Sequence, residues 1–259
     1  MNVETHHGNL IMNTATMAYR NLLKTLHNPD QFMDVIIQPI MFMLMFGYLF
    51  GGAISGNVKS YLPTIVPGIL IQTMLSAASG SGSQIREDLD SGVFDRFKSL
   101  PMAHIAPLAG QLFADILRLV IATITSLSVG YLMGWRPAAG IFWVVVVSGL
   151  LAIFSGWAIS WVFALLGLLA KSASAVQSFS LMIMLTLTFL SNAFIPVDTL
   201  SKTMKFIVYL NPITYVITAV RQILSTGSWT NEAWLVLLFG IGIVIVFAPL
   251  TVFAYNHNN

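Results

Sequence analysis

No charged residue interrupts the chain between Asp34 and Lys59, nor again between Arg136 and Lys171. A helix needs about 20 mostly apolar residues to cross about 30 Å of hydrocarbon, and both runs are long enough. The rest of the chain allows no soluble alternative: of 259 residues 56% are hydrophobic and 8% charged, where soluble domains carry about 25% charged residues. The reading is an all-α, polytopic membrane protein.

Hydrophobic runs and their breaks predict six transmembrane helices, at about 35–54, 61–83, 108–133, 141–169, 174–195 and 233–255. Residues 1–30 stand apart as a tail and one amphipathic helix, leaving 31–259 as a six-span domain. In the stretch from Asn9 to His27, Tyr19, Leu22, Leu23 and Leu26 share one face while Arg20, Lys24 and His27 share another. That pattern suits a helix lying in the headgroup plane. Asn28-Pro29-Asp30 then reads as a turn into a new helix. A continuous helix over Pro137 to Ala170 would be about 50 Å long at 1.5 Å per residue, so a break near Ser155-Gly156 or a strong tilt is expected.

Charge is concentrated in one place. Arg86, Glu87, Asp88, Asp90, Asp95, Arg96 and Lys98 fall within Gln84 to Met102, and the loop 84–104 must lie in water. Leu89, Val93, Phe94, Phe97 and Leu100 recur at helical spacing, Gly92 divides the segment and Pro101 ends it. Two readings stand side by side: a solvated loop with a chance ridge, or an elbow that docks a protein.

Ionisable groups inside a span are costly and functional by default. Asp115 and Arg118, three residues apart in the third span, can meet on one face, either as a structural ion pair or as a contact for substrate or proton. The small-residue run Ser76 to Ser83 allows close helix packing or lines a polar path. Between Pro196 and Leu224, two half-length amphipathic helices split by Asn211-Pro212 are too short for two crossings, which suits a re-entrant or interfacial hairpin over 196–224.

Several chemistries are set aside. Cysteine is absent, which removes disulfides, thiolate metal sites and thiol catalysis. No G-x-x-x-x-G-K-[ST] loop occurs, and His6-His7, His27, His104 and His257 lack metal spacing. Met41, Met43 and Met45 read as packing rather than a cofactor box. A net charge of +2 with scattered basic residues gives no nucleic-acid footprint. No cleaved leader is expected, and six basic residues on the side of the termini against five on the other leave the orientation open.

The order and spacing of several pieces resemble the permease subunits of ABC type-2 exporters, especially the daunorubicin-resistance branch. These are Tyr19-Arg20-Asn21-Leu22 with Asn28-Pro29-Asp30 and Gln38-Pro39-Ile40; Pro67-Gly68-Ile69-Leu70; Asp88 to Phe97 with Ser99-Leu100-Pro101; and Ser191 to Pro196 with Asn211-Pro212 and Arg221. Asp95 departs from the small or uncharged residue expected there.

The resemblance implies a permease that pairs with a second copy, identical or paralogous, and with a separate cytosolic ATP-binding subunit. ATP and Mg would sit on that subunit, with no cofactor on this chain. It implies a bacterial plasma membrane with both termini cytoplasmic. Loop 84–104 becomes the ATPase-coupling segment, carried by Arg86, Asp88, Leu89, Asp90, Gly92, Phe94, Asp95, Arg96 and Phe97. The first helix, with Arg20 and Lys24, becomes a cytosolic interface helix. The hairpin with Pro196, Asn211, Pro212 and Arg221 becomes an external cap. The expected cargo is an amphiphilic drug, antibiotic or lipid. A stand-alone secondary transporter or channel would need more midplane ionisable groups or an internal repeat, and an intramembrane enzyme would need a nucleophile or metal set that is not visible.

Overall fold

The computed structural model describes residues 10–26, 29–93, 105–137 and 140–257, and they are helical almost throughout. In chain order the elements are α1 (Leu10–Leu26), α2 (Pro29–Ser55), α3 (Val58–Asp90), α4 (Ala106–Leu132), α5 (Ile141–Leu169), α6 (Ala173–Phe189), a 3-10 turn (Val197–Thr199), α7 (Lys202–Leu210), α8 (Pro212–Thr226) and α9 (Asn231–His257). Helices start where side chains can take up free amides. Asn57 accepts from the Ser60 amide at 2.8 Å, Ser172 from Ala175 at 3.2 Å and Asn211 from Ile213 at 2.9 Å.

Among the described residues five helices, α2 from Asp34 onward, α3, α4, α5 and α9, are long and apolar enough to cross a bilayer, or six if the bent pair α7 and α8 counts as one span. α3 is the axis of the bundle: 78% of its most apolar window is buried, against 17% for α9. α2, α4, α5, α6 and α8 all pack on α3. The outer faces are apolar too, with Leu150, Leu238, Ile245 and Phe253 each at least 60% exposed. In water such a surface would aggregate. Against lipid it is the expected finish.

Length and continuity differ from the sequence expectation in three places. The span expected over 174–195 is a helix of only 17 residues ending at Phe189, about 25 Å long, and Ser191–Ile195 folds back as irregular chain. Of the break or strong tilt expected for the long apolar run, the break at Ser155-Gly156 is absent, because α5 runs unbroken from Ile141 to Leu169, the bounds expected for that span. There the Ser155 hydroxyl bonds the Leu151 carbonyl at 2.8 Å, satisfied within its own helix, and Gly156 serves as a close seat for Leu119 of α4. Finally, α3 runs on to Asp90, so the first seven residues of the charged loop are the last two turns of the central helix.

Two ends of the bundle follow. At one end lie the end of α3, the start of α4, the α5–α6 turn and the end of α9, joined by a core of Ile85, Leu108, Leu112, Ala164, Leu168 and Tyr255. α1 lies against α4 with Met17 buried beside Gly110. At the other end α7 and α8 meet at 88° beside the α2–α3 turn.

Candidate functional site

Polar and charged side chains gather at three levels of the bundle. At the end where α3 stops, Arg86 donates through Nε to Asp90 Oδ1 at 2.9 Å, and its Nη2 pairs with the same oxygen. Its Nη1 donates to the Ala170 carbonyl at 2.7 Å. Ala170 caps α5, and the last carbonyls of a helix have no partner of their own and carry negative partial charge. One guanidinium therefore ties the end of α3 to the α5–α6 turn.

Asp88 is buried and Asp90 exposed. Leu89 packs on the small core at this end. The Ser91 amide donates to Glu87 O at 3.0 Å and the Gly92 amide to Leu89 O at 3.1 Å, with Gly92 at φ +67°, a conformation glycine adopts without steric cost. Gly92 is thus the point where α3 is broken off. Phe94, Asp95, Arg96 and Phe97 lie outside the described residues. Arg20 is half-buried on α1; Lys24 belongs to α1, its side chain outside the described part.

Within the bundle, Asp115 and Arg118 share a face of α4. Their closest approach is 3.6 Å, Nη1 to Oδ1, and both are buried. The Asp115 carboxylate is held chiefly by others: the Ser81 hydroxyl donates to it from α3 at 2.5 Å and Gln111 at 3.3 Å. Sequence reading placed the ion pair but missed Ser81, since one serine in a small-residue stripe carries no mark of the helix it faces.

At the opposite end, Arg221 of α8 donates to Thr64 O at 3.1 Å and Asn192 O at 2.7 Å. Asn211 donates to Leu187 O at 2.6 Å and Leu190 O at 2.8 Å while capping α8, which begins with Pro212. Pro196 O closes the 3-10 turn, accepting from the Thr199 amide at 3.2 Å. Tyr61 donates to Phe194 O at 2.6 Å. A Cβ on Gly68 would fall 2.0 Å from Ala193 O, so the chain after α6 is pressed onto the backbone of α3. The described chain brings Asn211, Pro212 and Arg221 together with the 191–196 segment, and adds Tyr61 and Gly68, whose roles depend on contacts more than a hundred residues away.

The arrangement holds a central helix at both ends and places a mixed-charge surface at one of them, and among the described residues nothing resembles a nucleophile and its base. A family model described as ABC-2 type transporter matches residues 12–225. The daunorubicin resistance ABC transporter permease protein DrrB1 of Streptomyces coeruleorubidus is 37% identical over 248 residues, covering 95% of this chain and 87% of its own length. The doxorubicin resistance ABC transporter permease protein DrrB of two Mycobacterium tuberculosis strains is 32% identical over 112 residues, 43% of this chain and 38% of theirs.

Proposed function

The chain belongs to the ABC-2 type transporter family, a membrane-embedded permease that works with an ATP-binding partner, and from that premise we propose that it exports an amphiphilic drug, antibiotic or lipid-like compound; the relatives are named for resistance to daunorubicin and doxorubicin. On this reading the chain sits in a bacterial plasma membrane with both termini cytoplasmic. Loop 84–104 then docks a separate ATP-binding subunit, which carries the ATP and Mg, and this chain holds no cofactor of its own. A second copy completes the pathway.

The observation that supports this most directly is the Arg86 bridge. A docking surface transmits motion only if it is stiffly joined to what must move. Arg86 joins the end of α3 to the α5–α6 turn, and α3 touches most of the bundle. ATP bound at the partner supplies the differential free energy a conformational change requires. Closure of two ATP-binding subunits then becomes rigid-body motion of α3 and α5. At the far end, the hairpin fastened by Arg221 and Asn211 is the part that has to yield for release.

The test is transport in inside-out vesicles with the ATP-binding subunit co-expressed. Daunorubicin should accumulate when ATP is added and fail to do so with a non-hydrolysable analogue. Accumulation that follows an imposed ion gradient without ATP would instead establish a secondary transporter.

A further inference from the structure

A polar cavity of about 400 Å³ lies between the starts of α2 and α6, floored by the last turns of α3 and closed at depth by α4. We propose that it binds the head of an amphiphile carrying both an organic cation and a hydrogen-bond acceptor, the acceptor on Arg118 and the cation between Asp34 and Glu87.

The deep end is built around an incompletely paired cation. Arg118 is only 6% exposed, its nearest carboxylate oxygen is 3.6 Å away and its Nε has no hydrogen-bond partner. A buried cation so placed gains from any acceptor that reaches it. The guanidinium is also held in place: a Cβ on Gly80 would lie 2.3 Å from Nη2, so Arg118 lies flat on the backbone of α3. Ser79 and Ser83 add hydroxyls to the same wall.

The mouth has the opposite sign. Asp34 and Glu87 line the cavity and both are exposed, while Arg118 is the sole cationic lining residue among the described residues. A simple anion must pass two carboxylates, and a simple cation meets a guanidinium at the bottom. A head bearing both charges complements each in turn. Gly80 and Glu87 are two turns apart, about 10 Å along the axis, which a glutamate side chain and an extended headgroup bridge together.

That chemistry has two sources, a zwitterionic phospholipid of the bilayer or an exported amphiphile. As a loading site the cavity rests on the exporter reading; as a binding site it does not, because binding is measured on the full chain without the ATP-binding subunit.

Three probes share one chain length: hexadecylphosphocholine, cetyltrimethylammonium and hexadecyl phosphate, titrated by native mass spectrometry. The zwitterion should bind about tenfold tighter than either singly charged analogue. Asp34→Asn with Glu87→Gln should abolish its advantage over hexadecyl phosphate. Gly80→Ala, which displaces the guanidinium without altering charge, should abolish its advantage over cetyltrimethylammonium. The surface pair keeps the test decisive if Gly80→Ala misfolds. A phospholipid retained through purification and displaced one for one by the zwitterion identifies the bilayer as source; probe binding with no retained lipid identifies a solute. Equal binding of all three probes, or a ranking unmoved by the variants, overturns the proposal.

Discussion

Arg86 bonds the carbonyl of Ala170, 84 positions along the chain, at 2.7 Å while holding Asp90 of its own helix. The two contacts differ in kind. Asp90 is exposed, and water and salt screen a surface i,i+4 pair so that it contributes little to stability. The Ala170 bond reaches another helix and satisfies a terminal carbonyl, and a hydrogen bond with one charged partner is worth about 1.5–3 kcal/mol.

Asp90→Asn should therefore leave thermal stability and transport per ATP nearly unchanged. Arg86→Ala should lower transport several-fold while the ATP-binding subunit still co-purifies and hydrolyses ATP. Transport and hydrolysis assayed on the same vesicles decide it. Equal behaviour of the two variants would show that the bridge to α5 transmits nothing.

The buried pair in α4 makes a second prediction. Removing one partner of a buried ion pair costs about 3–5 kcal/mol, while replacing both by apolar residues of similar size is often neutral. Asp115→Leu alone should lower the melting temperature in detergent markedly, and Asp115→Leu with Arg118→Met should restore much of it. Ser81→Ala, which takes the shortest bond from the carboxylate, should fall between. Restored stability without restored transport would assign Arg118 to cargo; restoration of both would make the pair structural.

The contact between α3 and α5 depends on two glycines. A Cβ on Gly167 would sit 2.2 Å from Gly82 O, whereas one on Gly242 of α9 would meet nothing within 4 Å. Backbone cannot step aside as a side chain can, so Gly167→Ala should destabilise by about 3 kcal/mol, the upper end of the usual overpacking cost. Gly242→Ala should be neutral or slightly stabilising through helix propensity. Thermal unfolding of the two purified variants, side by side, is the check.

How far the sequence reveals this molecule depends on whether a feature is local. The spans are legible because lipid demands an uninterrupted apolar length that any window along the chain exposes. Asp115 and Arg118 are legible because i,i+3 spacing puts them on one face. The bend between α7 and α8 is legible in Asn211-Pro212, where a cap and a helix start coincide. Ser81, Tyr61 and Gly68 are not, since each is defined by a partner on another helix. Whether the long apolar run breaks at Ser155-Gly156 or stays straight and tilts is not legible for the same reason: small residues permit a bend or a close neighbour, and only the neighbour decides. α6 was overestimated because the apolar run continues through Ala193, Phe194 and Ile195, whose backbone is folded onto α3 by Gly68, Tyr61 and Arg221.

That fold-back gives the last prediction, which also tests orientation. The chain has no cysteine, so one introduced thiol is unambiguous. Ser191 is buried and Asp198 and Ser174 are exposed, the first two at the hairpin end and the third at the Arg86 end. With a membrane-impermeant maleimide on intact cells, Asp198→Cys should label, while Ser174→Cys should label only after permeabilisation, if the termini are cytoplasmic. Ser191→Cys should resist labelling throughout. Adding Gly68→Ala, whose Cβ would strike Ala193 O, should lift the segment off α3 and expose it. Tyr61→Phe loses a single bond to Phe194 O, worth about 1 kcal/mol, and should raise Ser191→Cys labelling only partway. If Ser191→Cys labels fully before either second substitution, the segment is not fastened to α3, and Arg221 and Asn211 then have to be assigned to something other than a latch.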